Sequence, residues 1–383
     1  MQISSLFLEN YRNYRQLQCA FCPGINLVTG ANAQGKTNLI ESIYYLSIGH
    51  AYRQARDAQL IRWGSDRFRI EGKVESRQGK TDIGVDVGTS TRPAKTITVG
   101  GLRGAKTEEL SGVLLSVLFS PESMAIIKGS PQERRSFLDY DVGQISLTYH
   151  TNSNTYKRLL AQRNALLKKL GRLSTPITEK KERLLLWDQQ LIEYGCRIIE
   201  KRISFLEKMT PMVRLTQRKL TEGRETLELQ YMLSQRNTRV TYKTIDKTKG
   251  ILGFLKEACD QCLEDDLRLG STHWGPHRDD VRFLLDGMDI KQYGSQGQQR
   301  TGVLALKMAE LEIFRGETGE YPILLLDDVL SELDESRQRQ LLQMISEKAI
   351  QCIITTTESM DIPFSDKRPF KQFSVHQGSV IEI

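Results

Sequence analysis

Gly30-Ala31-Asn32-Ala33-Gln34-Gly35-Lys36-Thr37 is the stretch from which the fold of this 383-residue chain is read. It satisfies G-x-x-x-x-G-K-[ST] at every fixed position. Ahead of it, Ile25-Asn26-Leu27-Val28-Thr29 reads as a short buried strand. Behind it, Leu39, Ile40, Ile43, Tyr44 and Leu46 recur at helical spacing. Strand, glycine-rich turn and helix, in that order, aim backbone N–H groups and a helix N-terminus at a phosphate. The spacing predicts that Gly30, Ala31, Asn32, Ala33, Gln34, Gly35, Lys36 and Thr37 bind a nucleoside triphosphate. Lys36 reaches the β- and γ-phosphates, and the Thr37 hydroxyl ligates Mg²⁺. A kinase or a GTPase shares this much, so the use made of the triphosphate must be read elsewhere.

Residues 321–334 narrow the choice. Ile323-Leu324-Leu325-Leu326-Asp327-Asp328 is an aliphatic run ending in acids. It describes a central strand that delivers a carboxylate to its C-terminal edge, where α/β nucleotide sites lie. Asp327 is predicted to hold the same Mg²⁺ as Thr37, and Asp328 to orient or polarise an attacking water. Neighbouring side chains on a strand point to opposite faces, so Asp328 must sit where the strand is ending. Ser295-Gln296-Gly297-Gln298, before a long helical pattern, forms a second anion-binding turn. Near the N-terminus, Tyr11-Arg12-Asn13-Tyr14 interleaves aromatics and cations one strand ahead of the loop. Arg12 is there a candidate nucleotide contact by stacking and charge; a sheet-edge turn accounts for the same residues equally well. Arg53 and Arg56 are candidate phosphate or DNA contacts, and a surface loop accounts for them equally well.

Composition sets the bounds. The hydrophobic fraction of 39% and charged fraction of 26% are those of a soluble globular chain. There is no run of 18 apolar residues and no secretory pattern at the N-terminus, so a cytoplasmic protein without membrane partners is expected. The net charge is +7, but residues 151–270 hold 24 Lys+Arg against 15 Asp+Glu, a balance of +9 that leaves −2 for the rest. That bias suggests a polyanion partner; a solvated helical surface is the plainer account. Cys19/Cys22 and Cys259/Cys262 are two C-x-x-C pairs, but the 236 residues between them are far outside zinc-site spacing. His273 and His277 flank Gly275-Pro276, which excludes a helical metal pair.

Along the chain, residues 67–100 alternate and read as antiparallel hairpins. Val113–Phe119 reads as a buried strand, and Ser130-Pro131 as a helix cap followed by its first residue. Residues 151–266 change character. Helical periodicity dominates, and residues 151–172 carry Lys157, Arg158, Arg163, Lys168, Lys169 and Arg172 with no acid. The division expected is one lobe from residues 1–150 plus 267–383 and a helical, basic insertion at 151–266. Ser271–Asp280 would mark the return.

Taken together, these motifs resemble the ABC-type head ATPases of the SMC group, and within it the RecF family. The strings that carry the resemblance are Tyr11-Arg12-Asn13-Tyr14, Asn32–Asn38, Lys128-Gly129-Ser130-Pro131-Gln132, Gly275-Pro276-His277-Arg278-Asp279-Asp280, Tyr293–Arg300 and Leu325–Asp334, in the family's order. The resemblance implies an α/β fold: an ABC-type P-loop ATPase head lobe with an inserted, mainly α-helical second lobe and no long coiled coil. It implies ATP and Mg²⁺ sandwiched between two copies, with Ser295, Gly297 and Gln298 of one closing on the γ-phosphate held by the other. It makes Lys36 and Asp328 catalytic in a weak, DNA-stimulated ATPase. ABC ATPases commonly have Glu at the position of Asp328, and the shorter side chain predicts slow hydrolysis. Transporters carry a switch histidine near the position of Thr356. The partners implied are DNA, single-stranded, double-stranded or gapped, together with RecR and RecO. The role implied is recombinational repair and replication-fork maintenance, with recombinase loaded at gapped DNA. A transporter-type ATPase subunit and a nucleotide-binding scaffold without turnover stand as other readings. Co-purification with membranes or with DNA separates the first, and an Asp328→Asn comparison the second.

Overall fold

A computed structural model describes residues 1–52, 55–89, 94–236, 238–357 and 368–383; Arg53 lies outside them. The chain divides into two compact units, residues 1–124 with 300–383 and residues 125–299.

The first unit holds two six-stranded sheets. One is antiparallel and contains β1 (Gln2–Tyr11), β2 (Tyr14–Ala20), β4 (Arg67–Ser76), β5 (Gly79–Gly88), β6 (Lys95–Val99) and β7 (Leu102–Ala105), in the order β2-β1-β4-β5-β6-β7. The other contains β3 (Ile25–Thr29), β8 (Ser116–Phe119), β13 (Ile323–Asp327), β14 (Cys352–Thr356), β15 (Phe370–His376) and β16 (Ser379–Glu382), in the order β16-β15-β3-β14-β13-β8. All its pairs are parallel except β15 with β16. Parallel strands buried on both faces read as unbroken apolar runs, and β13, all five of whose residues are buried, does so. Strand β4 alternates instead, burying Phe68, Ile70 and Val74, as a sheet with one covered face must. The helix α1 (Lys36–Ile48) buries Leu39, Ile40, Ile43, Tyr44 and Leu46 in one core shared by both sheets. The predicted loop strand, its helix, the 67–100 hairpins and the acidic strand are all present; the apolar run at 113–119 pairs from Ser116.

The second unit begins at Ala125 and ends at Gln299, wider on both sides than the 151–266 read from composition. It starts with α2 (Ala125–Lys128) and α3 (Pro131–Ile145), the latter capped by Ser130 in a capping box with Glu133. Next come α4 (Leu147–Leu170) and the 44-residue α5 (Ile177–Leu220). They form a hairpin whose facing pairs are Arg163/Asp188, Tyr156/Gly195 and Tyr149/Arg202, one rung every seven residues. Then follow β9 (Leu227–Gln235), β10 (Thr238–Thr241), α6 (Gly250–Leu269), β11 (Asp280–Leu285), β12 (Met288–Asp289) and α7 (Ile290–Tyr293). The four strands make an antiparallel sheet, β10-β9-β11-β12. Ser271–Asp280 therefore does not mark a return to the first unit, because β11 pairs along its length with β9. The helix α8 (Gln296–Thr318) starts in this unit and runs on into the other; α9 (Glu335–Glu347) completes the first.

Of the six cations expected on a basic face at 151–172, Arg163 is fully buried. It donates to Asp188 and Asp266, each at 2.6 Å, and stacks on Trp274. The other elements of the fold thus convert part of an apparent surface charge into core.

Candidate functional site

The loop Gly30–Gly35 leaves β3 and turns into α1. Gly30 and Gly35 have φ of +155° and +120°, backbone that an L side chain resists. A Cβ on Gly35 would also lie 2.5 Å from the Asn13 amide nitrogen. That amide belongs to a brace around the loop. Asn13 Nδ2 donates to the Gln34 carbonyl at 2.8 Å, the Tyr14 hydroxyl donates to the Gly35 carbonyl at 2.9 Å, and Asn38 donates to Asn13 Oδ1 at 2.8 Å. From the other side, Gln377 N donates to Gln34 Oε1 at 2.7 Å and Gly378 N to the Gln34 carbonyl at 3.1 Å. The Tyr11–Tyr14 motif thus acts on the loop itself.

Arg12 has a different attachment from the one expected. Its Nε and NH2 make a two-pronged pair with Glu41 of α1, both at 3.0 Å, and Glu41 is buried. The guanidinium is three-quarters buried and engaged by a carboxylate.

Lys36 folds back over the loop, donating from Nζ to the carbonyls of Gly30 at 2.6 Å and Ala31 at 2.9 Å. Burial holds its ammonium below the ordinary lysine range, against the pull of Asp328 and Asp327. Those acids stand at the C-terminal edge of the parallel sheet. Strand β14 separates β3 from β13, and its register sets Val28, Thr355 and Asp327 in one row. The Thr37 hydroxyl donates to Asp327 Oδ1 at 3.0 Å, and the Thr355 hydroxyl to the same oxygen at 2.8 Å. Asp328 has left the strand, with φ of +55°. Its N–H meets Thr355 Oγ1 at 3.0 Å, and its carbonyl accepts from Ser331 at 2.8 Å. Its Oδ1 is buried with no hydrogen-bond partner among the described residues. The left-handed turn lets two successive acids serve one edge.

The oxygens of Thr37 and Asp327 suit Mg²⁺, a hard cation usually held by one or two protein oxygens, water and substrate phosphate. Among the described residues no cluster of three or more His, Cys, Asp or Glu is arranged to hold a metal. Burial pushes the Cys19 thiol up to about 12.

At the start of α8, Ser295 and Gln298 form a reciprocal cap. Ser295 N donates to Gln298 Oε1 at 2.8 Å, and Gln298 N to Ser295 Oγ at 3.2 Å. This is a capping box, S-x-x-Q, at the turn read from sequence as anion-binding. Gln298 is steadied from Glu225 at 3.0 Å, while Ser295 and Gly297 are exposed. Sequence reasoning misses Glu41 and Glu225. It includes Asn13 in the Tyr11–Tyr14 motif and reads Thr355 as one of the hydroxyls ending an apolar strand near the same edge, without giving either its role.

Fold and edge together define an ABC-type ATPase head of the kind found in SMC proteins. A family model described as the RecF/RecN/SMC N terminal domain matches residues 2–379. The chain is 39% identical over 384 residues to the DNA replication and repair protein RecF of Staphylococcus carnosus (strain TM300), covering 100% of both. It is 38% identical, at the same coverage, to that of Staphylococcus aureus (strain JH9). Two solved structures of the recombination mediator protein RecF in the RecFOR pathway, one with ATP and one with ATPrS, superpose with TM-scores of 0.89 and 0.88. They are 35% and 34% identical, and the matches cover 100% of this chain and 97% and 98% of theirs. The chain belongs to the RecF family. An Smc head domain from Pyrococcus furiosus, 17% identical with a TM-score of 0.55 and coverage of 100% and 96%, shares the fold. No described helix is long and apolar enough to cross a membrane.

Proposed function

We propose that this chain is an ATP-gated DNA-binding protein that dimerises on DNA when it holds ATP and leaves it after slow hydrolysis. The observation that carries the reading is the edge cluster: Thr37 and Thr355 on one oxygen of Asp327, beside an Asp328 carboxylate whose buried oxygen has no hydrogen-bond partner among the described residues. ATP lies along Gly30–Thr37. Lys36 exchanges the Gly30 and Ala31 carbonyls for the β- and γ-phosphates. Thr37 and Asp327 hold Mg²⁺, which when bound neutralises charge on the phosphate oxygens. Asp328 orients the attacking water, and its short side chain makes turnover slow. Ser295, Gly297 and Gln298 of a second copy close the γ-phosphate side, in keeping with the exposure of Ser295 and Gly297. Arg12, already paired with Glu41, serves the loop's architecture.

The relatives are named for DNA replication and repair and for the RecFOR pathway. On that basis the proposed partners are DNA, RecO and RecR, and the task is support of recombinase loading at gapped DNA. The division of labour proposed is an ATPase lobe from both chain ends and a basic inserted lobe. Sedimentation with ATP and with ADP tests the assembly: an ATP-specific dimer is expected, and one that persists in Ser295→Arg rejects the sandwich. DNA affinity should fall steeply with salt, since each neutralised phosphate adds about −0.9 to the log–log slope; a flat response rejects an electrostatic DNA interface.

A further inference from the structure

Within the second unit, a cleft of about 300 Å³ opens between α3, α4 and α5. Its walls include Gln132, Arg135, Ser136, Asp139, Lys157 and Arg202. That volume lies at the lower end of the range for small-ligand sites, about 300–1,000 Å³.

The cations of the cleft are not all directly paired. Arg202 is paired with Asp139 at 2.6 Å, and its other N–H groups go to the Tyr149 and Tyr231 hydroxyls and the Pro276 carbonyl. That pair is neutral and saturated. Arg135 is half-buried, yet its one hydrogen bond, at 2.8 Å, is to the backbone carbonyl of Asp279. No carboxylate stands within ion-pair distance of it among the described residues, and Lys157 on the rim has none either. Burial and the nearby Arg202 charge hold Arg135 below its ordinary range, against the longer-range pull of Asp280, Asp139 and Asp279. His277, also in the wall, adds no charge: burial lowers it to about 3, and its Nδ1 meets the Tyr156 hydroxyl at 2.8 Å. Two cations without a direct ion pair among the described residues therefore stand beside the polar ends of Gln132 and Ser136.

We infer that this cleft is a binding site for a phosphate monoester, with Arg135 and Lys157 on the phosphoryl oxygens and Gln132 and Ser136 completing the shell. A monoester carries about two negative charges near neutral pH and three acceptor oxygens. A guanidinium fork and an ammonium complement that group in charge and in geometry. The site is separate from the phosphate loop and does not depend on the function proposed for it.

Calorimetric titration with inorganic phosphate should find two classes of site in the intact protein. Lys36→Gln removes the loop class and leaves the other. In that background Lys157→Gln, at an exposed residue whose loss breaks no hydrogen bond, should weaken the remaining class by about tenfold or more. Arg135→Gln should weaken it further. Deoxyadenosine 5′-monophosphate and inorganic phosphate, compared in Lys36→Gln, separate a nucleotide from the free ion as the source; tighter binding of the nucleotide assigns the former, equal binding the latter. The proposal is overturned if Lys36→Gln binds no phosphate, or if Lys157→Gln and Arg135→Gln leave its binding unchanged. Loss of ATP binding in Lys36→Gln reports on the loop alone, so the two readings fail separately.

Discussion

The sheet edge of the first unit and the arginine core of the second treat charge in opposite ways. At the edge of the parallel sheet, polar groups keep bonding capacity in reserve: Lys36 rests on loop carbonyls, and a buried oxygen of Asp328 has no hydrogen-bond partner among the described residues. In the core of the inserted unit, buried arginines are engaged by acids and hydroxyls. Arg163 joins Asp188, Asp266 and Thr272, and Arg202 joins Asp139, Tyr149, Tyr231 and Pro276. The first arrangement is suited to receive a ligand. The second ties the hairpin to its neighbours, since Arg163 also reaches Asp266 of α6 and Arg202 reaches Asp139 of α3 and Tyr231 of β9. A buried ion pair adds little net stability against an apolar replacement, but removing one partner is costly.

The largest expected effect tests the saturated side. Arg163→Met leaves Asp188 and Asp266 buried without their cation. It should cost about 3–5 kcal/mol of folding stability, read as a lower urea midpoint. A loss below about 1 kcal/mol would show that water or relaxation satisfies these acids and that the contrast between the units is overstated. The next effect tests the open side. Lys36→Gln should lower ATP turnover by about 10²–10³-fold, the scale of losing one transition-state electrostatic contact. Its urea midpoint should stay near that of the parent protein, because the ammonium's present bonds are to loop carbonyls. A large fall in midpoint with modest kinetic change would make Lys36 a structural lysine.

How far these features were legible in sequence follows the same division. The loop, its helix and the acidic strand are contiguous, and their chemistry sits in consecutive residues. That Asp328 sits where the strand ends follows from two acids needing one edge; its positive φ is visible only in the structure. Thr355 was not legible in that way. Its role depends on β14 lying between β3 and β13, an order that no local pattern discloses. Arg163 looks like any other cation of an acid-free helix, because its acceptors lie 25 and 103 residues away. Leu227–Gln235 does alternate, as Leu-Glu-Leu-Gln-Tyr, but it follows 44 helical residues and was absorbed into their pattern. The insertion was accordingly drawn too narrow, because the sheet that closes it pairs β9 with β11 across α6.

The smallest effect bears on the hinge of the comparison, Thr355, whose hydroxyl is engaged as donor and as acceptor at the open edge. Its hydroxyl donates to Asp327 Oδ1 at 2.8 Å and accepts from Asp328 N at 3.0 Å, so it holds both acids from the middle strand. Thr355→Val keeps the volume and removes both bonds. The loss expected is about 1–3 kcal/mol, the range for a buried polar group left unsatisfied. How that loss divides is informative. If Thr355 positions the acids, turnover falls while the dissociation constant for ATP hardly moves, because the loop that binds the triphosphate is braced by Asn13, Tyr14 and Gln377 instead. If the hydroxyl is merely a buried polar group, the urea midpoint falls and turnover in the folded protein does not. In the second case the edge would be as self-contained as the arginine rungs, and the difference between the two units would shrink to Lys36 and Asp328.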